Sequence, residues 1–309
     1  VRALILGGTG AVGLATGAAL AARGHEVLKG SRRAAAEPGS VQLDLTTAAG
    51  RDRMVDTASG CDVVINASGR EDLELARALA VAGTPYVDTS AGTAYLDGLR
   101  HLPGSATRVV GAGIAPGVST VLAAALDPQP GDEIDISVLL GTGEAHGPAA
   151  VAWTADLAGR SLHRAPEGEP IANYRERRRM DVDGRPRMHL RTDFPDHVLL
   201  DATGATIRTY LTLGSPLATA GLALVGAVPA LRGILAAAPH WGDDRWRVAA
   251  TNRRTSRMLE AAGFGQSRAT GEFAALAAVR ATEQPTLGAV TMADLFGADV
   301  LSEADCVTA

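Results

Sequence analysis

The chain has 309 residues, enough for two domains and a large core, and a net charge of −5 with no basic tail, which argues against a nucleic-acid partner. Cys61 and Cys306 are its only cysteines, too few for a disulfide framework or a zinc site, so no metal is expected and a reducing cytoplasm suits the chain. Lys29 is its only lysine, which excludes a catalytic Tyr-x-x-x-Lys pair and a Schiff-base lysine in the second half.

The first strand, Arg2–Leu6, begins so early that no signal peptide is expected, and Val1 reads as following a removed methionine. Its apolar residues run into Gly7-Gly8-Thr9-Gly10-Ala11-Val12-Gly13. Gly8, Gly10 and Gly13 fit the G-x-G-x-x-G spacing. The glycines allow a tight turn, a close backbone approach to a pyrophosphate, and a helix packed close to its strand. An alanine-rich helix to Arg23 follows, and its free N–H groups and positive dipole end suit phosphates. Gly10 is expected to refuse a branched side chain, both for space and for a positive φ.

A second strand, Glu26–Lys29, leads to Gly30-Ser31-Arg32-Arg33. An NAD enzyme usually places an acid here to bond the ribose hydroxyls. This chain offers two guanidinium groups, which can hold a 2′-phosphate, so NADP is the expected cofactor. Strands Val41–Leu43, Asp62–Asn66, Tyr86–Asp88 and Arg108–Gly111 end in Asp44-Leu45, Asn66-Ala67-Ser68-Gly69, Asp88-Thr89-Ser90 and Gly113-Ile114-Ala115-Pro116-Gly117. Asp44 and Leu45 are expected near the adenine. Ala67, Ser68, Gly69, Gly113, Pro116 and Gly117 are expected to let the cofactor pass. Strand–helix alternation implies a doubly wound parallel α/β sheet, with ligands at the carboxyl ends of its strands.

After the turn-rich Asp127–Asp132 the pattern changes. Glu133–Val138 alternates polar and apolar, as in a sheet with one wet face. A helix is expected from about Pro148 to Ala158, and strands at Tyr174–Val182, Arg187–Leu190, Val198–Leu200 and Ala205–Leu211, making a second, α+β domain. Thr209–Leu231 carries no charge. Pro216 and Pro229 interrupt it, so a buried helix from Pro216 to Val228 is expected rather than a membrane span. Trp246–Ala250 reads as a strand and Thr270–Arg280 as a helix, followed by Gly288–Met292 and a short terminal helix.

Five stretches (Gly7–Gly13, Gly30–Arg33, Asp62–Gly69, Tyr86–Ser90 and Gly113–Ser119) together resemble the saccharopine dehydrogenase-like family of NAD(P)-binding oxidoreductases. The resemblance covers the N-terminal part well and the rest loosely. It implies a dinucleotide domain of residues 1–125 plus 268–309, split by a domain of residues 126–267 that carries substrate specificity and the contacts of a homodimer. It also implies hydride transfer to or from a C–N bond, or in some relatives another double bond.

His146, beside Glu144, is a candidate general acid, and Tyr174 is a second. Arg175, Arg177 and Arg179 would share a strand face, able to clamp a carboxylate or simply to meet solvent. The pocket is expected to be lined instead by Thr209–Val228 and to suit a largely apolar metabolite. The expected function is NADP(H)-dependent reduction of a C=N, C=C or C=O bond of a small metabolite. Two alternatives are an NADP-binding redox-sensing regulator of the atypical short-chain dehydrogenase type, and a non-redox isomerase or cyclase using bound NADP.

Overall fold

The computed structural model describes residues 1–33, 38–144, 148–237 and 242–308. The chain divides into two compact units. Unit 1 comprises Val1–Ala91, Tyr95–Gly117 and Ser267–Ala304, and unit 2 comprises Gly92–Ala94, Val118–Gln266 and Asp305–Ala309.

Elements are numbered in chain order. The sheet of unit 1 contains β1 (Arg2–Leu6), β2 (Glu26–Ser31), β3 (Ser40–Gln42), β4 (Val63–Asn66), β5 (Tyr86–Asp88), β6 (Arg108–Val110) and β13 (Ala289–Val290). Their order is β13-β6-β5-β4-β1-β2-β3, and every pairing is parallel. This is the doubly wound sheet expected from the alternation. The central strands are largely apolar because helices cover both faces of such a sheet. Leu4, Ile5, Val63, Val64 and Ile65 have no exposed surface, and burying each contributes about 1.5–3 kcal/mol.

The helices α1 (Ala11–Ala22), α2 (Ala48–Ala58), α3 (Leu73–Ala82) and α4 (Thr93–Arg100) connect these strands. Asp72 caps α3 by accepting from the N–H groups of Glu74 and Leu75, and Gly83 ends it in the left-handed region. The later helix α9 (Gln266–Glu283) crosses α1 so closely that a β-carbon on Gly271 would lie 2.6 Å from the backbone N of Thr16. The short helices α10 (Met292–Phe296) and α11 (Val300–Glu303) follow, with α10 opened by a Thr291–Asp294 capping box.

The second sheet contains β7 (Glu133–Leu140), β8 (Arg177–Val182), β9 (Arg185–Arg191), β10 (Thr206–Leu213), β11 (Arg245–Asn252), β12 (Met258–Phe264) and β14 (Val307–Thr308). Their order is β14-β12-β11-β7-β10-β9-β8. Only β7 and β10 pair in parallel. Helices α5 (Val118–Ala125), α7 (Asp196–Leu199) and α8 (Pro216–Ala227) pack on this sheet, and α6 (Pro148–Leu157) lies in the same unit. Among the described residues no helix is long and apolar enough to cross a membrane.

Helix α8, expected to be buried, buries only one face, with Leu217 and Leu224 exposed on the other. Two further expectations for this unit are corrected. Two of the polar residues of β7 do not face water, since Asp135 is 3% and Ser137 4% exposed. Arg253 grips both carboxylate oxygens of Asp135, at 2.7 and 2.8 Å, and Arg178 joins at 2.9 Å. The guanidinium groups of Arg178 and Arg191 both lie over the Tyr210 ring, 5.9 and 5.5 Å from its centroid. Long arginine stems lying over the strands therefore bury a polar layer that alternation alone assigns to solvent. Secondly, Val198–Leu200 is not a strand. Pro195, with φ −75°, opens the helical turn α7, and the Asp196 carboxylate binds it down by accepting from the hydroxyls of Ser119 (2.6 Å) and Thr209 (3.0 Å). Strand β12 had no expectation attached to it. Its Gly263 is required because a β-carbon there would overlap the Cys306 carbonyl and the Trp246 ring.

Candidate functional site

In the sheet of unit 1 the strand order reverses beside β1, and parallel strands put all their carboxyl ends on one edge. The β1–α1 loop, Gly7–Gly13, lies at that switch point. Its glycines fall into two kinds. Gly7 has φ +77°, and a β-carbon there would stand 2.5 Å from the Cα of Ser68 and 2.7 Å from the Ala67 carbonyl oxygen. A β-carbon on Gly8 would stand 2.8 Å from the Cα of Lys29, and one on Gly13 would overlap the Gly7 carbonyl. Those three glycines are demanded by the protein itself. Gly10 is different. Its φ is −78°, against the expected positive value, and the nearest atom to a β-carbon there is the Gly7 carbonyl oxygen at 3.3 Å. A β-carbon there would make one tight contact, with that oxygen, and would overlap no backbone atom.

The loop is pinned from below. The N–H groups of Gly7 and Gly8 both donate to the Gly30 carbonyl, at 2.9 and 3.1 Å, and that of Gly10 donates to Gly7. Helix α1 has Gly10 as its N-cap and no side-chain cap, whereas α2 is capped by Thr47, α3 by Asp72 and α10 by Thr291. Helix geometry gives the first-turn N–H groups of Ala11 and Val12 no intrahelical acceptor. Thr9, Gly10 and Ala11 are exposed and Val12 half-buried, so the open helix end faces solvent.

The structure brings the loop against Ala67-Ser68-Gly69. Asn66 organises that turn. Its side-chain oxygen accepts from the N–H (3.2 Å) and hydroxyl (2.6 Å) of Ser68, and Gly69 takes φ +68°. On the other side, β2 ends in Ser31, whose hydroxyl donates to the Arg33 carbonyl, and Arg32 and Arg33 are exposed. Asp44 lies at the end of β3 beside them. The Thr46 hydroxyl and N–H hold its carboxyl below the usual carboxylate range, with Arg32 adding to the effect. Leu45 is buried. Gly50 in α2 went unnoticed in the sequence, yet a β-carbon there would overlap the Asp44 carbonyl, so it holds the start of α2 against the end of β3.

Other predicted residues lie at the ends of β5 and β6. Gly113, Pro116 and Gly117 are buried in a turn that closes on itself, Gly113 N–H donating to the Pro116 carbonyl at 2.9 Å across a cis Ala115–Pro116 bond. Asp88 is fully buried. Its carboxylate accepts from the hydroxyls of Tyr86 and Tyr95, both at 2.7 Å, from the Asn66 amide at 3.0 Å and from the Ser90 N–H at 2.7 Å. This network braces β4 against β5 behind the Ala67–Gly69 turn. A sequence reader sees two tyrosines and two polar strand ends, with no sign that they meet.

His146 lies outside the described residues. Tyr174 belongs to unit 2 and is fully buried, its hydroxyl donating to the Thr154 carbonyl at 2.9 Å. Burial, with Asp193 nearby, pushes that phenol well above its ordinary range.

Residues 3–84 match the model of the NAD dependent epimerase/dehydratase family. No curated protein matches the chain. Among solved structures, an engineered D-amino acid dehydrogenase bound to NADP+ is similar at 16% identity, with 94% of this chain and 93% of that chain covered and a TM-score of 0.47. The C. glutamicum DAP dehydrogenase in complex with DAP is similar at 16% identity, with 94% and 92% covered and a TM-score of 0.47. A dipicolinate-bound dihydrodipicolinate reductase from Paenisporosarcina sp. TG-14 is similar at 11% identity, with 95% and 98% covered and a TM-score of 0.43. At such identities and TM-scores these likenesses say nothing about the substrate or reaction of this chain.

Proposed function

We propose that unit 1 binds NADP(H) and that the protein is an NADP(H)-dependent oxidoreductase, reducing a C=N, C=C or C=O bond of a small metabolite. One observation carries the reading. In a loop where Gly7, Gly8 and Gly13 would each drive a β-carbon into neighbouring backbone, Gly10 meets one oxygen at 3.3 Å and sits exposed at the uncapped start of α1. A pyrophosphate lying there would account for a glycine that no backbone overlap demands. The match of residues 3–84 to an NAD-dependent family supports the same use of the loop.

The residues present fit the group. Gly8, Thr9, Gly10, Ala11 and Val12 would cradle the pyrophosphate, and Ser31, Arg32 and Arg33 would take the 2′-phosphate. Asp44 and Leu45 would lie toward the adenine, and Ala67, Ser68 and Gly69 would flank the opposite side of the crevice. The bound cofactor supplies the hydride. Tyr174 has no part in this reading, because its hydroxyl is already committed inside unit 2. The five sequence stretches that resemble saccharopine dehydrogenase-like proteins remain the support for a C–N substrate.

A second reading is a non-redox reaction on bound cofactor, favoured by the words epimerase and dehydratase in the matched family. The Tyr-x-x-x-Lys pair is absent, since Lys29 is the only lysine and lies in β2. Calorimetric titration with NADPH and NADH, followed by an NADPH-oxidation assay over carbonyl and imine substrates, tests the proposal. Binding of neither nucleotide would overturn it. Binding without oxidation of NADPH by any substrate would favour the second reading.

A further inference from the structure

Unit 2 contains a hollow of about 300 Å³ between α8 and the stretch that leads into β8, lined by Tyr174, Arg175, Arg177, Ala223 and Ala227. Its shape follows from residue size. A β-carbon on Gly226 would lie 2.5 Å from that of Tyr174, so the bare glycine lets α8 press against Tyr174. Ala223 and Ala227, one turn apart, then present single methyl groups, and the helix wall recedes between them.

The opposite wall is cationic. Residues 173–176 form a turn, with Tyr174 at φ +65°, that leads into β8, and the Glu176 carboxylate is taken up by the Tyr210 hydroxyl, which donates to it at 2.7 Å. Arg175 and Arg177 are left exposed, and among the described residues neither lies within ion-pair distance of a carboxylate. Beyond the hollow the helix surface stays apolar. Leu224 and Val228, next in sequence to Ala223 and Ala227, are 53% and 43% exposed, and α8 carries no charged residue.

The arginine stretch and the uncharged segment Thr209–Val228 were rival substrate surfaces in the sequence. The structure makes them two walls of one cavity. We propose that this hollow is a binding site for a small amphiphilic anion, a carboxylate or phosphate head on an alkyl body. The head would take the guanidinium groups of Arg175 and Arg177, and the alkyl body would lie on Ala223 and Ala227 and run out over Leu224 and Val228. The volume is at the lower end for small-ligand pockets, which suits a head and a short chain. The site lies within unit 2 and stands whether or not the glycine loop takes NADP(H).

The test is calorimetry on the full chain with octanoate and octyl phosphate, both kept below micelle formation. Saturable binding of at least one is expected, with acetate, inorganic phosphate and neutral octanol each weaker by roughly tenfold or more. R175Q with R177Q is expected to weaken octanoate binding by roughly tenfold or more. Ala227→Leu, on the exposed side of α8, is expected to fill the hollow and abolish binding. Both variants should keep the parent melting temperature and the parent affinity for NADPH. Absence of saturable binding by either amphiphile overturns the proposal, as does binding that neither variant alters. Flotation with phosphatidylglycerol vesicles but no binding of monomeric octanoate would also overturn it, assigning the face to a bilayer surface instead.

Discussion

Gly7 and Ser68 are pressed together across the switch point, so that a β-carbon on Gly7 would stand 2.5 Å from the Ser68 Cα. The end of β1 and the end of β4 therefore meet in one rim, and among Gly7, Gly8, Gly10 and Gly13 only Gly10 could carry a β-carbon without overlapping backbone. Substitutions at the two glycines should have opposite signatures. Gly7→Ala meets a positive φ and a backbone neighbour, and is expected to cost about 3 kcal/mol or more. Gly10→Val has a permitted φ and one tight contact, with the Gly7 carbonyl oxygen, and should cost less than Gly7→Ala while abolishing NADPH binding. Thermal melts and calorimetry on both variants check this. Retained NADPH affinity in Gly10→Val would remove the pyrophosphate from the loop.

In the proposed reading the exposed Arg32 and Arg33 set the nucleotide preference. Arg32→Ala with Arg33→Ala is expected to weaken NADPH binding by about 1.5–3 kcal/mol per lost contact and to leave NADH binding nearly unchanged. Calorimetry with both nucleotides reads the difference. Equal losses for NADPH and NADH would mean that these arginines do not hold the 2′-phosphate.

Asp88 is a buried carboxylate satisfied by neutral donors rather than by a cation. Tyr86→Phe and Tyr95→Phe each remove one hydroxyl from it, and each is expected to destabilise the protein by about 1.5–3 kcal/mol. Urea denaturation measures the loss. An unchanged midpoint in both variants would show that the two hydroxyls contribute nothing to the brace between β4 and β5.

His189 makes stability depend on pH. It is fully buried, its Nδ1–H donating to the Arg187 carbonyl at 3.1 Å while Nε2 accepts from the Ser137 hydroxyl at 2.8 Å. Burial is the main cause that lowers its pKa from 6.5 to about 4. Between those values the unfolded chain binds the extra proton and the folded chain does not, so stability falls as pH falls from 6.5 toward 4. At pH 5 the loss should reach about 2 kcal/mol relative to pH 8. His189→Gln should flatten this dependence between pH 8 and 5. Identical slopes in parent and variant would show that His189 carries no such linkage.

Much of unit 1 was readable because its signals are local. An apolar run, glycines at fixed spacing and an arginine pair after the next strand all fall within the first 33 residues. Strand–helix alternation then leaves few ways to wind a parallel sheet. The same local reading failed at Val198–Leu200, where β-branched and leucine residues suggested a strand. Pro195 and the Ser119–Asp196–Thr209 hydrogen bonds select a helical turn, and two of those partners are distant in sequence.

The sequence by itself determined the parallel α/β sheet, the glycine loop at its centre and the alternation of β7. Each depends on residues within a few positions of one another, whose steric and hydrophobic preferences act before any long-range contact forms. Only the tertiary structure decided what those features meet. It separated Gly10 from the glycines that backbone neighbours demand, and it covered Asp135 with Arg253, which is 118 residues away. It also set Arg175 and Arg177 across a hollow from Ala223 and Ala227. Contacts of that range depend on how strands order and helices cross, and no local pattern encodes them.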